Sequence, residues 1–189
     1  MRVFLAVFPP PAVREVAHAA GETLRRAGPP AASVSWVKPD NLHYTLRFLG
    51  ELGEDATRRV SEAAREAAAS QPAFDAELGS LGAFPDPRRV RVLWIGLSTG
   101  AKALTALAHA LDKALAPRGF GAADHPFSPH LTLGRVRDAR ADWSEALTHP
   151  PAPGGPSMRF RVERLCVVES KLSPKGSIYK VRVEAPLSG

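Results

Sequence analysis

A short motif, His-x-Thr-Leu, occurs twice in this chain, and the repeat restricts the possible folds more than any other feature of the sequence. The copies span residues 43–46 and 130–133, with 87 positions separating their histidines. Each copy lies in a predicted strand that follows a helix and a proline-containing turn. A repeated motif in a repeated context indicates a duplicated unit. We therefore expect two similar half-chains that form two lobes facing each other across a cleft.

The chemistry of the motif follows from strand geometry. Side chains at positions i and i+2 of a strand lie on one face, roughly 7 Å apart, so His43 is beside Thr45 and His130 beside Thr132. At neutral pH one imidazole can accept a proton from water while the other donates one to a leaving oxygen. Threonine hydroxyls suit the non-bridging oxygens of a phosphate. The pair of motifs predicts metal-free, in-line cleavage of a phosphodiester.

Two arginines follow the motifs and are candidates for a cationic contact with phosphate. Strict alternation along the strands places Arg47 on the histidine face and Arg135 on the opposite face. Arg135 would need a bulge, or the end of its strand, to turn inward.

The remaining chain predicts the α+β class. Apolar residues at helical spacing predict helices from Pro11 to Gly28, over 54–69 and over about 100–116. Extended segments are predicted at the N-terminus and near 34–37, 42–50, 73–82, 90–97, 129–137, 158–169 and 177–184, with a short helix at 138–148 and a loop at 149–157. The long strand-to-strand passages at the end argue against a doubly wound parallel sheet.

Composition limits the class of protein. Hydrophobic residues make up 44% and charged residues 23% of 189 residues, which excludes a disordered chain and suffices for a core. The single cysteine, Cys166, excludes a disulfide-stapled secreted scaffold and favours a reducing cytosol. No apolar run is long enough to span a bilayer, and the first eight residues predict a strand rather than a signal peptide. We expect a cytoplasmic protein without a membrane partner.

Net charge and the motifs present limit the classes of ligand and cofactor that we expect. The formal net charge of +6 favours an anionic partner such as nucleic acid or a phosphate ester, although a solvated arginine-rich surface explains it equally well. No His, Asp and Glu cluster has metal-ligand spacing, and no glycine-rich phosphate loop or dinucleotide fingerprint occurs. We expect neither a metal nor another cofactor.

The residues around both motifs resemble the two-histidine (2H) phosphoesterases, specifically the bacterial and archaeal RNA 2′,3′-cyclic phosphodiesterases once called 2′-5′ RNA ligases. The resemblance covers nearly the whole chain. The similar segments are RVFLAV at 2–7, WVKPDNLHYTLRFLG at 36–50, GAFP at 82–85, VLW at 92–94, FSPHLTLGR at 127–135 and ESKLSPKGSIY at 169–179. Tyr44 departs from the family, which more often has an aliphatic residue there, and we expect it to face the core or the outer side of its lobe.

The resemblance implies a fold and a reaction. The fold is bilobal, with two pseudo-symmetric lobes of antiparallel sheet and outer helices around a central cleft. Residues 1–189 would form one such domain, with one motif per lobe. The reaction is hydrolysis of a terminal RNA 2′,3′-cyclic phosphate to a 2′-phosphomonoester, with reversible 2′-5′ ligation as a related activity. RNA ends, such as those of tRNA fragments, are the expected partners, and the protein is expected to be a monomer.

The resemblance also implies roles for individual residues. In the family's usual assignment His43 protonates the leaving 3′ oxygen and His130 is the base toward water. Thr45 and Thr132 would hold the phosphate, and Arg135 matches a family arginine that contacts it.

Further contacts and further functions stay open. Phe48 and Phe127 flank the motifs and are candidates for stacking on the terminal base, and Arg47 is a weaker candidate for a substrate contact. The same site would also suit small cyclic phosphates or 2′-5′-linked nucleotides. An RNA-binding protein with vestigial activity is the alternative from another class.

Overall fold

Three α-helices and nine strands make up the fold of the described residues. The computed structural model of the chain describes residues 1–30, 32–137, 141–148, 158–174 and 176–189. The α-helices are α1 (Pro11–Ala27), α2 (Glu54–Ala69) and α3 (Ala101–Leu115). The strands are β1 (Arg2–Val7), β2 (Val34–Trp36), β3 (Tyr44–Glu51), β4 (Phe74–Phe84), β5 (Val92–Thr99), β6 (Leu131–Val136), β7 (Arg159–Val162), β8 (Arg164–Ser173) and β9 (Gly176–Pro186). The predicted α+β class and the three predicted helices are confirmed.

The strands form one antiparallel sheet whose order is β7-β4-β5-β6-β3-β1-β8-β9, with β2 pairing to β6. This order consists of two four-stranded halves, β3-β1-β8-β9 and β6-β5-β4-β7, arranged symmetrically about their junction. Within the described chain, β3 and β6 share a single paired position, Tyr44 with Leu131. Because His43 and His130 immediately precede these two residues, the junction brings both motifs to the centre of the sheet.

The two halves are not contiguous half-chains, which corrects the expectation drawn from the repeat. The C-terminal hairpin β8–β9 pairs with β1, and β2 from the first part of the chain pairs with β6. The helices also cross between halves. Gly21 of α1 lies against Leu133 of β6, and Asp112 of α3 binds Arg47 of β3. Strand exchange and helix packing therefore interlock the halves around the motifs.

Two further predictions need correction. The extended segment predicted over 158–169 is divided at Glu163, because β7 pairs with β4 while β8 pairs with β1 in the other half. The helix predicted over 138–148 is replaced, within the described residues 141–148, by a short 3-10 turn at Ala146–Thr148. Residues 138–140 of that helix and the predicted loop at 149–157 lie outside the described residues.

The main core lies between the helices and one face of the sheet. α1 contributes residues at helical spacing, including Val13, Ala17, Ala20 and Leu24, all buried. Tyr44 also points into this core, as expected, and its hydroxyl has no hydrogen-bond partner in the described part of the chain. No helix of the described residues is long and apolar enough to cross a membrane.

A smaller buried cluster occupies the opposite face of the sheet, beneath the cleft. Its members are Phe4, Ala6, Cys166 and Val168, with Phe8 and Tyr179 packed against them. Burial raises the pKa of the Cys166 thiol to about 11, so the thiol stays protonated at neutral pH. Cys166 therefore belongs to this apolar floor and not to the reacting groups.

Candidate active site

A bulge in β3 decides which of its side chains face the cleft. Thr45 pairs with Ala6 of the cleft-side cluster, whereas Arg47 pairs with Leu5 of the main core. Leu46 is the extra residue between these pairs. Because directly opposed residues share a face of the sheet, the bulge keeps Thr45 in the cleft and turns Arg47 away from it.

The prediction that Arg47 lies on the histidine face is therefore wrong. Its side chain is only 8% exposed, and its Nη1 donates to Asp112 Oδ1 at 3.0 Å. Its Nη2 donates to the carbonyl oxygen of Gly121 at 2.5 Å. Arg47 contributes to the wall of the cleft, but its guanidinium is occupied by α3 and the loop that follows it.

The corresponding bulge in β6 has the opposite consequence for Arg135. Thr132 pairs with Trp94 and Arg135 pairs with Val92, and Leu133 is the extra residue between them. The bulge shifts the alternation by one position, so Arg135 lies on the same face as Thr132. The sequence requires such a bulge, or the end of the strand, for Arg135 to face the cleft, but it does not say where the bulge lies. The position equivalent to Arg135 in β3 is occupied by Phe48.

The two imidazoles are oriented in the same way. His43 Nδ1 lies 2.7 Å from the carbonyl oxygen of Asn41, and His130 Nδ1 lies 2.7 Å from that of Ser128. A carbonyl oxygen only accepts, so each Nδ1 carries the hydrogen and donates it. In the neutral tautomer, Nε2 of each ring is then the free acceptor. The backbone thus prepares both histidines to exchange protons through Nε2.

Aromatic rings and burial tune these imidazoles. The ring of His43 contacts Phe4, Phe8 and Tyr179 at centroid distances of 4.9, 5.4 and 5.3 Å. The pKa of His43 is lowered to about 4, mainly by burial; the hydrogen bond to Asn41 acts in the opposite direction, and the positive charge of Arg135 acts in the same direction as burial. Burial followed by Arg135 also lowers the pKa of His130, whose ring meets Phe84 edge-on at 5.0 Å. Both rings are therefore neutral at pH 7 in the ligand-free protein.

The cleft consists of two adjoining recesses. The His43 recess has a volume of about 440 Å³ and the His130 recess about 490 Å³. Both volumes fall in the range of small-molecule sites. Four side chains line both recesses and mark the boundary between the histidines: Thr45, Phe48, Thr132 and Arg135. The structure therefore brings together both histidines, both threonines and Arg135.

The two aromatic candidates differ in their position relative to this boundary. Phe127 lines only the His130 recess, and Phe48 lines both. Phe48 is 53% exposed, although the guanidinium of Arg2 lies 5.5 Å from its ring centroid. An exposed ring at the centre of a cleft is well placed to stack on an unpaired base.

Sequence reasoning missed one wall of the His43 recess. That wall is formed by Arg2, Asn41, Ser170, Ser177 and Tyr179. These residues come from β1, from the turn before His43 and from the β8–β9 hairpin. All five lie in segments that carry the family resemblance, and that resemblance was the signal available in the sequence. Their meeting at one recess depends on strand pairs distant in sequence, which no local pattern reveals.

The arrangement suits acid–base chemistry on an anion. Two oriented imidazoles flank two hydroxyls and a guanidinium, and Arg135 makes no ion pair with an acidic side chain of the described residues. Among those residues, no group of three or more His, Cys, Asp or Glu side chains is arranged to hold a metal ion. The site therefore offers its own donors and acceptors to a phosphate.

Comparison with known families and proteins gives a consistent answer. The model of the 2′-5′ RNA ligase superfamily matches residues 8–173. A curated Methanothermobacter thermautotrophicus protein named RNA 2′,3′-cyclic phosphodiesterase is 32% identical over 179 residues, covering 95% of this chain and 95% of that protein. An Escherichia coli protein of the same name is 37% identical over 155 residues, covering 81% of this chain and 78% of that protein.

Solved structures agree with these sequence relatives. A Thermus thermophilus structure superposes with a TM-score of 0.79 at 30% identity, covering 100% of this chain and 99% of that one. Escherichia coli LigT in complex with 3′-AMP superposes with a TM-score of 0.77 at 30% identity, covering 100% and 98% of the two chains.

Proposed function

This chain belongs to the 2′-5′ RNA ligase superfamily, and we propose that it hydrolyses the terminal 2′,3′-cyclic phosphate of RNA to a 2′-phosphomonoester. The observation that carries the proposal is the pair of imidazoles, each fixed by a backbone carbonyl 2.7 Å from Nδ1, on either side of a shared phosphate-binding set. The name of the Methanothermobacter and Escherichia relatives supports the same reaction. We further propose that residues 1–189 act as one bilobal, monomeric domain in the cytoplasm.

In this reaction the protein positions the cyclic phosphate and moves two protons. The non-bridging oxygens accept hydrogen bonds from the hydroxyls of Thr45 and Thr132 and from the guanidinium of Arg135. Water attacks phosphorus from the His130 side while His130 Nε2 takes its proton. The bond from phosphorus to O3′ breaks, and His43 donates a proton to O3′ from Nε2. The phosphate stays on O2′, and solvent restores the two protonation states.

The donor role requires a protonated His43, whereas burial lowers its pKa to about 4 in the ligand-free protein. The substrate itself supplies the missing stabilisation. A cyclic phosphodiester brings a negative charge to the boundary between the two imidazoles, and an adjacent anion favours the imidazolium form. Because the two rings are close enough to interact, they titrate as a coupled pair once the anion is bound.

The same geometry accounts for ligation. A ribose 5′-hydroxyl in place of water would lose its proton to His130 and form a phosphodiester to O2′. The product would carry a 2′-5′ linkage, and the protons would be transferred as in hydrolysis. Hydrolysis and ligation therefore need no separate catalytic group.

The test uses a short oligonucleotide ending in a 2′,3′-cyclic phosphate, incubated with the protein in EDTA, with the products separated as 2′- or 3′-phosphates. We expect only the 2′-phosphate. His43→Ala and His130→Ala should each lower the rate by about 10²–10⁴-fold, the usual contribution of a general acid or base. His109→Ala is the matched control, because His109 is exposed on α3 away from the cleft.

Three outcomes would contradict the proposal. A 3′-phosphate product would contradict the assignment of His43 to O3′. Near-normal turnover in either variant would remove that histidine from the mechanism. RNA binding without turnover in the wild-type protein would support the binding-protein alternative.

A further inference from the structure

Arg2 is a cation in the His43 recess that the reaction at phosphorus does not use. It begins β1 and pairs with Ser170 of β8, so its side chain shares the cleft face with that serine. Its guanidinium lies over Phe48 and forms no ion pair with an acidic side chain in the described ranges. An arginine without an acidic partner inside a cleft is available to an anionic ligand.

Three hydroxyl-bearing side chains line the same recess as Arg2. Ser170, Ser177 and Tyr179 line the same recess, and Ser170 pairs directly with Tyr179 across the β8–β9 hairpin. Asn41 Nδ2 donates to the carbonyl oxygen of Ser177 at 2.8 Å, which holds the hairpin against the turn that precedes His43. Burial raises the pKa of Tyr179, while a side-chain hydrogen bond with Ser177 and the charges of Arg135 and Arg2 act in the opposite direction. Tyr179 therefore lies within the field of both arginines.

The direction of the reaction decides which part of the substrate meets Arg2. His43 protonates O3′, an oxygen that remains on the ribose after the bond to phosphorus breaks. The nucleoside must therefore occupy the His43 recess, and the attacking water the His130 recess. Apart from the cyclic phosphate itself, the only anionic group carried by the terminal nucleotide is the phosphate on its 5′ oxygen.

We infer that Arg2, together with the hydroxyls of Ser170 and Ser177, binds the phosphate on the 5′ oxygen of the terminal nucleotide. The site would then select ends that carry this second phosphate, as every oligonucleotide does, over a bare nucleoside cyclic phosphate. The inference rests on the proposed function, because that function places the nucleoside beside His43.

The spacing within the sheet agrees with this assignment. Thr45 pairs with Ala6 and Phe48 pairs with Phe4, two residues further along β1. Phe48 is therefore displaced by roughly 7 Å along the sheet from the phosphate-binding threonine, about the extent of one ribose. Arg2, with its guanidinium over Phe48, lies on the far side of that interval.

The experiment compares kcat/KM for three substrates with the same base: adenosine 2′,3′-cyclic phosphate, its 5′-phosphorylated form, and the dinucleotide ApA ending in the cyclic phosphate. The wild-type protein should prefer the last two by about tenfold or more, the gain typical of a hydrogen bond to a charged group. Arg2→Met should abolish most of that preference, because it should lower kcat/KM on the two substrates with a 5′-phosphate by a much larger factor than on the first substrate. Arg2→Lys should retain part of the preference, because it keeps the charge but loses the planar fork.

Arg65→Met is the matched control, since Arg65 is exposed on α2, on the helix side of the sheet. Three results would overturn the inference: no wild-type preference for the 5′-phosphate, a preference that persists in Arg2→Met, or an equal loss on all three substrates. The thermal unfolding midpoint of each variant shows whether an equal loss of kcat/KM on all three substrates comes from unfolding of the protein. If the wild-type protein hydrolyses none of the three, the proposed function fails instead, which keeps the two failures distinct.

Discussion

His43 lies among aromatic side chains, and its titration should report the presence of ligand. Phe4, Phe8 and Tyr179 surround the ring, and burial lowers its pKa to about 4. The free ring is therefore neutral above about pH 4. A bound phosphate stabilises the charged form, so its binding must raise this pKa.

This change is measurable by NMR titration of the His43 ring protons with and without a nucleoside 2′-monophosphate. We expect the pKa to rise by about one unit or more when the anion binds, since one unit needs only about 1.4 kcal/mol of preferential interaction. Consequently the pH profile of kcat should lie at higher pH than that of kcat/KM. A free His43 that titrates near 6.5, or one that ignores the ligand, would contradict this account.

The meeting of the motif residues in one cleft could be predicted from sequence, but the identity of their neighbours could not. His43, Thr45, His130 and Thr132 are specified by a local motif, because residues two apart in a strand share a face. Arg2 reaches the site only because β1 lies between β3 and β8. That order depends on pairing between segments more than 100 residues apart in the chain, so no local periodicity carries the information.

At the scale of the element, the bulges in β3 and β6 determine which side chains can react. Each bulge inserts one extra residue into its strand and so shifts the alternation of side chains by one position. The shift buries Arg47 and exposes Arg135 to the cleft. Alternation alone gave the reverse assignment, because a bulge depends on the partner strand as well as on the bulged one. Gly134, beside the bulge in β6, is the one local sign of it.

Side chains of the β4–β5 pair pack against the ring of His130. Gly82 faces Trp94, Trp94 packs on Phe84 at 5.0 Å, and Phe84 contacts His130 at 5.0 Å. A Cβ added at Gly82 would meet Trp94 Cζ2, a contact far closer than real side chains make. The indole must therefore move in a Gly82→Ala variant, and the displacement passes through Phe84 to the histidine.

Gly82→Ala should lower the free energy of unfolding by about 1–3 kcal/mol, the usual cost of overpacking, and should reduce kcat severalfold. Urea denaturation and steady-state rates on the same preparations measure the two effects. Gly121→Ala is the control, because nothing lies within 4 Å of a Cβ there. Stability and turnover unchanged by Gly82→Ala would show that Trp94 does not transmit packing to the site.

For the whole molecule, the distance between the two histidines depends on how the halves meet. The repeat in the sequence correctly predicts two motif-bearing units, but it does not reveal that β8–β9 joins β1 or that Asp112 of α3 pairs with Arg47 of β3. The exchange of strands between the halves depends on pairing between residues far apart in the sequence. The repeat concerns only two short segments, so it carries no information about that pairing. The junction itself is the pair of Tyr44 and Leu131, each adjacent to a motif histidine.

Two leucine-to-alanine variants separate the role of this junction from general stability. Leu131 and Leu107 are both fully buried, the first at the junction and the second in α3. Each truncation should lower the free energy of unfolding by about 2–5 kcal/mol. Only Leu131→Ala opens a cavity between the motif strands, and a displacement of about 1 Å between reacting groups can cost up to about 10²-fold in rate.

We therefore expect Leu131→Ala to lower kcat by about tenfold or more, a fraction of that 10²-fold limit, at a temperature where both variants remain folded by circular dichroism. Leu107→Ala should keep kcat within twofold of the wild-type value under the same conditions. Equal rates in the two variants would mean that the histidine spacing does not depend on the junction. A difference confined to Leu131→Ala would establish that the contact between the halves, in addition to the motifs themselves, sets the geometry of proton transfer.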